Sequence, residues 1–256
     1  VALELGGNNP AIILPDADLH QAVVEVTRCA FNTTGQRCTS TRRLIVHEAV
    51  ADRVIPALVK AASSLVIGDP RSGDPVFMGP IISEQARDAV FAAERRFAES
   101  GGRVILESTA VPGLPGWYLT PSIVTVERFA LDVDDCGCDE EVFGPMLRIT
   151  VVGSLDEAIE QANATRYGLS ASIFTADAAA QERFLTEVRA GCLNINCGTA
   201  GASSKLPFGG TGFSGNNRPA GAFSLDYCAY PVATMIEGSD AATVAQGMRV
   251  DREWVD

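Results

Sequence analysis

Short apolar runs alternate along this chain with stretches of helical periodicity, and that alternation constrains the fold more than any other feature. Ala11-Ile12-Ile13-Leu14 follows Pro10 and reads as a buried strand. Asp18 caps a helix whose apolar residues Leu19, Ala22, Val23, Val26, Cys29 and Ala30 recur at helical spacing until Gly35 ends it. Leu44-Ile45-Val46 is a second strand, and a helix through Val50, Val54, Leu58 and Ala62 follows, tolerating Pro56. Ser83 caps a third helix, running to about Ser100 and stopped by Gly101-Gly102. Further strands are expected at 104–106, 146–152, 171–174 and 192–196, with a final one at 230–236. The capping box Ser154-Leu155-Asp156-Glu157 opens one more helix, and 178–189 forms another. Residues 107–121 and 198–221 read as loops. The implied fold is α/β: a mostly parallel sheet with helices on both faces. Ligands of such sheets gather beyond the strand carboxyl ends, so a site is expected there.

Composition narrows the function classes. The 256 residues carry 20 Lys+Arg against 32 Asp+Glu, a net charge of −12, which argues against a phosphate-backbone binder, so no nucleic-acid partner is expected. The apolar fraction of 46% is ample for a packed core. No apolar run reaches the roughly 18 residues of a membrane span, so no membrane partner is expected. Seven scattered cysteines, an odd number, read as reduced thiols of a cytoplasmic protein. There is no CxxC or HxxxH spacing, and no metal site is expected.

Cys38 lies in Thr34-Gly35-Gln36-Arg37-Cys38-Thr39, a polar Gly turn followed by Arg42-Arg43. Nearby arginine charge would favour its thiolate and make it a nucleophile, against the alternative of an ordinary buried thiol. A nucleophile needs a base. His20 and His47 have no distinctive surroundings, whereas Glu4, set between Leu3 and Leu5 and followed by Gly6-Gly7, would be raised toward a general base by desolvation unless it is a solvated strand-end residue. Glu140-Glu141-Val142-Phe143-Gly144-Pro145 offers an acid for a sugar hydroxyl and an aromatic for a ring, or else a solvated loop. Gly210-Thr211-Gly212-Phe213-Ser214-Gly215 matches GxGxxG, but Pro207 precedes it and Pro219 follows, so it lacks the strand–helix context of a dinucleotide fingerprint. Cys136-Gly137-Cys138 is a reduced loop pair before it is a metal or redox site.

Taken in order, these motifs resemble the catalytic part of the NAD(P)-dependent aldehyde dehydrogenase superfamily, from Glu4-Leu5-Gly6-Gly7 through Gly35-Gln36-Arg37-Cys38 and Glu141-Val142-Phe143-Gly144-Pro145 to Pro207-Phe208-Gly209-Gly210. Gly6-Gly7-Asn8-Asn9-Pro10, Ser214-Gly215-Asn216-Asn217-Arg218-Pro219 and Asp226-Tyr227-Cys228-Ala229 resemble the succinylglutamate semialdehyde dehydrogenase subgroup; the early stretch is also similar to aminoadipic semialdehyde dehydrogenases.

The resemblance implies that Cys38 attacks the aldehyde, a hydride passes to NAD or NADP, and Glu4 activates the water that hydrolyses the resulting thioester. It assigns the Cys38 N–H to the oxyanion hole, and Gly6, Glu141 and Phe143 to the cofactor. Phe208, Arg37, Thr199 and Ser203 fall to the substrate, a small-molecule aldehyde. It divides the chain into a catalytic domain (1–227), an oligomerisation-type strand (228–236) and a tail (237–256) that reads as polar and helical. The Rossmann-like cofactor domain, a second oxyanion donor and the hairpin that pairs with the last strand would lie outside this chain. The chain opens at Val1 rather than Met and is read as a piece of a longer, homo-oligomeric enzyme. The competing readings are a cofactor-free thiol hydrolase of esters or thioesters and an inactive fragment that only binds.

Overall fold

A computed structural model describes residues 1–131, 134–201, 203–238 and 243–254. The main elements are β1 (Asn9–Ile13), α1 (Leu19–Phe31), β2 (Thr41–His47), α2 (Glu48–Ser63), α3 (Glu84–Glu99), β3 (Arg103–Leu106), β4 (Ser122–Thr125), β5 (Met146–Val152) and α4 (Leu155–Asn163). There follow β6 (Tyr167–Gly168), β7 (Ser170–Phe174), α5 (Ala178–Glu187), β8 (Cys192–Ile195), the two-residue strands β9 (Pro207–Phe208), β10 (Thr211–Gly212) and β11 (Ala220–Gly221), and α6 (Ser224–Cys228). Seven strands form one sheet in the order β3-β4-β5-β2-β1-β7-β8. Neighbours run parallel except β3, which is antiparallel to β4.

Alternate residues of each central strand go to opposite faces, so two cores form. Ile12, Ile45, Val124 and Ile173 pack with Val90 and Phe97 of α3, Ala158 and Ile159 of α4 and Phe184 of α5. Ala11, Ile13, Leu44, Val46, Leu147 and Ile149 pack with Val26 and Phe31 of α1 and Val54 and Leu58 of α2. Both faces are covered, as a parallel sheet requires.

The two ends of the strands differ. At the carboxyl ends of β1, β2, β5 and β7 the chain turns into helices. Asp18 accepts the Gln21 N–H, His47 Nδ1 the Ala49 N–H, Ser154 the Glu157 N–H and Asp177 the Ala179 N–H. Each cap satisfies an otherwise orphaned helix donor. The irregular segments 32–40 and 126–145 lead into the amino ends of β2 and β5, and 196–219, which leaves the carboxyl end of β8, packs Thr199 and Ser214 on the segments before β2 and β1.

The structure corrects several local expectations. The first helix stops at Phe31, because Thr33 (φ 56), Thr34 (φ 58) and Gly35 (φ 66) turn left-handed before Cys38. The strand β4 begins directly after Pro121, between β3 and β5, where the sequence showed only four residues of signal. No strand forms over 229–236: Tyr230, Val232, Met235 and Ile236 are exposed, and a strand without a neighbour has no ladder to hold it. Of the 237–256 extension, 239–242 and 255–256 lie outside the described residues. Residues 237–238, 243–251, 253 and 254 are exposed, and a 3-10 turn at Arg252–Trp254 stands in place of the expected helix. No helix among the described residues is long and apolar enough to cross a membrane.

Candidate active site

The motif residues converge at the amino ends of β1, β2 and β5, opposite to where open parallel sheets usually bind ligands. Glu4 and Gly6-Gly7 precede β1, Cys38 precedes β2, and Glu141-Val142-Phe143 precedes β5. The carboxyl ends of β1, β2, β5 and β7 are followed by capped turns into helices.

The Cys38 turn is held from several sides. Thr34 Oγ1 donates to Gly79 O (2.9 Å), Gln36 Nε2 to Thr33 O (3.0 Å), and Gln36 Oε1 accepts the Ile82 N–H (2.9 Å). A Cβ on Gly35 would strike Gly144 O, so glycine is required by contact as well as by its positive φ. Asn9 Nδ2 donates to the carbonyls of Cys38 (2.7 Å) and Ser40 (2.8 Å), while its Oδ1 accepts the Ser170 N–H (3.0 Å).

The Cys38 thiol is half-buried. Burial pushes its pKa up, the N–H groups of Thr39 and of Cys38 itself oppose this, and the Glu141 and Glu4 carboxylates push it further up. The expected arginine-stabilised thiolate is corrected: Arg42 and Arg43 are buried and turned onto carbonyl oxygens, and the Arg42 charge does not offset burial and the two carboxylates at the Cys38 thiol. Arg43 donates to Asn8 O (2.7 Å), Gln161 O (2.8 Å) and Ala162 O (2.9 Å). Arg42 donates to Gly7 O, Gly35 O, Arg37 O and Val142 O.

Glu4 reaches Cys38 electrostatically but is exposed, and its neighbours Leu3 and Leu5 are 40% and 47% exposed. The apolar enclosure expected around it is not formed by these residues. Its backbone is fixed by the Gly-rich loop: Leu5 N–H donates to Ser214 O (3.1 Å), and Glu4 bridges Gly215. A Cβ on Gly215 would meet Gly210 O at 2.6 Å and Leu3 O at 2.9 Å, so the GxGxxG match serves close backbone packing.

Glu141 Oε1 accepts the Gly7 N–H (3.0 Å) and Arg42 Nη2 (3.3 Å). A Cβ on Gly6 would strike Glu141 Oε2, which has no hydrogen-bond partner among the described residues. Phe143 is 48% exposed, with the Arg42 guanidinium 5.1 Å from its ring centroid. A carboxylate oxygen left open beside an exposed aromatic face fits a ribose hydroxyl and a nicotinamide ring.

The residues expected at the substrate separate. Arg37 is exposed and donates Nε to Thr33 Oγ1 (2.8 Å), and it makes no salt bridge among the described residues. Thr199 is fully buried: its hydroxyl donates to Thr39 O (2.8 Å) and lies 2.8 Å from Thr41 Oγ1. It pins its loop behind Cys38 and presents no side chain to a substrate. Phe208 and Ser203 line a hollow of about 230 Å³ with Cys192 and Leu193, and Cys38 is not among its walls. Cys136 is buried, and the Cys136 and Cys138 carbonyls accept from Arg148 at 3.3 and 2.6 Å, so that turn is packing around an arginine.

Sequence reasoning missed Asn8, Asn9 and Arg148 and read Arg42 and Arg43 only as nearby charge. The available signal was charge inside buried strands: arginines in Thr41–His47 and Met146–Val152 must find partners indoors.

Comparison with known proteins identifies the family. The aldehyde dehydrogenase family profile matches residues 1–232. An N-succinylglutamate 5-semialdehyde dehydrogenase of Caulobacter sp. (strain K31) is 43% identical over 235 residues, 91% of this chain and 47% of that protein. Lactaldehyde dehydrogenase from Escherichia coli superposes with a TM-score of 0.81 at 31% identity, over 89% of this chain and 46% of that one. Glyceraldehyde-3-phosphate dehydrogenase from Methanocaldococcus jannaschii, complexed with NADP, gives 0.79 at 32% identity, over 88% and 47%. The chain spans about half the length of the curated relatives it matches.

Proposed function

We propose a function from one premise: this chain belongs to the aldehyde dehydrogenase family. Its residues carry the covalent half of the oxidation of an aldehyde to a carboxylate, with a semialdehyde as the substrate class. The observation that carries this reading is the half-buried Cys38 on a turn that Asn9 and Arg42 tie to the Glu4 and Glu141 segments.

The Cys38 thiolate adds to the aldehyde carbon, forming a C–S bond and an alkoxide. The Cys38 N–H stabilises that alkoxide as one oxyanion donor. A bound NAD or NADP would supply the hydride acceptor that lets the alkoxide go on to a thioester. Glu141 would hold a ribose hydroxyl through its open Oε2, Gly6 leaves room for that carboxylate, and Phe143 would offer its face to the ring. Glu4 takes a proton from water, which attacks the thioester; the acid leaves and Cys38 regains its thiol. Two easier steps replace one difficult one. Arg37, adjacent to Cys38 and open to solvent, meets the carboxylate at the substrate's far end. The semialdehyde class follows the relatives' names.

The test is nucleotide reduction by the full-length protein with acidic semialdehydes. Cys38→Ala abolishes turnover. Glu4→Gln keeps the first burst of reduction but slows release by about 10²–10⁴-fold. Unchanged turnover in Cys38→Ala sinks the reading; unchanged release in Glu4→Gln removes Glu4 as the base.

A further inference from the structure

The three motif segments of the site share one side chain that neither the motifs nor the comparisons single out. Arg42, 2% exposed, sits among them with all five of its N–H donors used. Nε donates to Gly7 O (3.1 Å), in the Glu4 segment. Nη1 donates to Gly35 O (3.2 Å) and Val142 O (2.5 Å). Nη2 donates to Arg37 O (3.0 Å) and Glu141 Oε1 (3.3 Å). The flanking guanidiniums do other work: Arg43 holds Asn8 and the end of α4, and Arg148 holds the carbonyls of Cys136, Cys138 and Glu140.

The bond to Arg37 O has a consequence for chemistry. The Arg37 carbonyl and the Cys38 N–H belong to one planar trans peptide and point in opposite directions. The Ser40 N–H (3.1 Å) and Arg42 Nη2 anchor the carbonyl, and Arg42 draws it toward the interior. The Cys38 N–H is thereby aimed the other way, away from the Arg42 guanidinium. A charged donor on the carbonyl also polarises the N–H of the same peptide.

We propose that Arg42 is the positioning residue of this site: its guanidinium aims the Cys38 N–H at the place where the oxyanion forms and holds Glu141 to the Glu4 segment. The proposal rests on the aldehyde-oxidation reading for its catalytic consequence, but not for its effect on the Cys38 thiol. Lysine keeps the charge without the planar fork, and glutamine removes the charge and most of the donors.

Two measurements test it. In the chain as described, the alkylation rate of Cys38 by iodoacetamide is followed against pH, with modification at Cys38 read from peptide masses. Loss of the cation in Arg42→Gln moves the midpoint to higher pH, and Arg42→Lys returns it toward wild type. In the full-length protein, kcat falls roughly 100-fold in Arg42→Gln and about tenfold in Arg42→Lys, the order seen on loss of an oxyanion donor, while KM for aldehyde stays within about threefold. Identical alkylation profiles in wild type and a folded Arg42→Gln overturn the proposal, as does a folded Arg42→Lys whose kcat is unchanged or whose loss lies only in KM. If Arg42→Gln fails to fold, the kcat of Arg42→Lys decides. If wild type oxidises no aldehyde, the functional reading fails, and the alkylation profiles still decide the role of Arg42.

Discussion

The carboxyl and amino ends of the parallel strands solve opposite problems. At the carboxyl ends, one short polar side chain per turn starts a helix: Asp18, His47, Ser154 and Asp177 each accept a single N–H. At the amino ends, long segments without regular structure leave many carbonyls to satisfy, and buried guanidiniums gather them. One end is capped turn by turn, with Asp16 also accepting from Thr175, Ala176 and Asp177 of the turn after β7. The other is a shared network in which each partner holds several segments, and the candidate chemistry sits there. Damage should therefore spread at the amino end and stay local at the carboxyl end.

Gly35→Ala breaks that contrast most severely if it fails. The new Cβ meets Gly144 O and, at 2.8 Å, Pro145 N, on a backbone of φ 66. Left-handed strain plus overpacking costs about 2–5 kcal/mol. Urea unfolding and Cys38 alkylation should both change; a loss under about 0.5 kcal/mol would show the turn to be more pliable than its contacts imply.

This is also where the sequence was least legible. The alternation of strand and helix, both faces of the sheet and the caps at Asp18, Ser83 and Ser154 could be read from spacing, because each depends on neighbours a few residues away. Cys38, Glu4 and Glu141 could be named from their motifs. Their end of the sheet could not, because it depends on which connections are long. Nor could the burial of Thr199 or the openness of Glu4, since each is set by segments far off in sequence. The left-handed Thr33 and Thr34 run against the preferences of β-branched residues and were invisible to propensity.

Asp139 probes the network more gently. It accepts from Asn8 Nδ2 (2.9 Å), Thr165 Oγ1 (2.6 Å) and the Arg166 N–H (2.7 Å). Burial alone would raise its pKa, but those three hydrogen bonds outweigh it and hold the carboxyl below its usual value. A depressed folded-state pKa gives stability that is present above the unfolded value of about 3.9 and is lost as pH falls through the folded one. Asp139→Asn should thus cost about 1–3 kcal/mol at pH 7, with a smaller difference from wild type near pH 3. A pH-independent difference would remove the charge from the explanation.

Ser154→Ala is the smallest effect and the control from the other end. It removes the acceptor of the Glu157 N–H while Glu157 still reaches the Gly153 N–H at 2.9 Å, so a loss of about 1 kcal/mol is expected, with Cys38 alkylation unchanged. A change in alkylation would show the two ends to be coupled.

Thr33 and Thr34 bear on how such a protein can change over generations. Two successive β-branched residues with φ near 57° hold a conformation that glycine or asparagine adopts with less strain, and each site of this kind stores about 1–3 kcal/mol. A screen of random variants for heat resistance, blind to activity, should therefore find glycine or asparagine at position 33 early. Position 34 should follow less readily, since Thr34 also gives its hydroxyl to Gly79 O. The same screen run for turnover should return the threonines, and the gap between the two outcomes would measure how much rigidity the Cys38 turn needs.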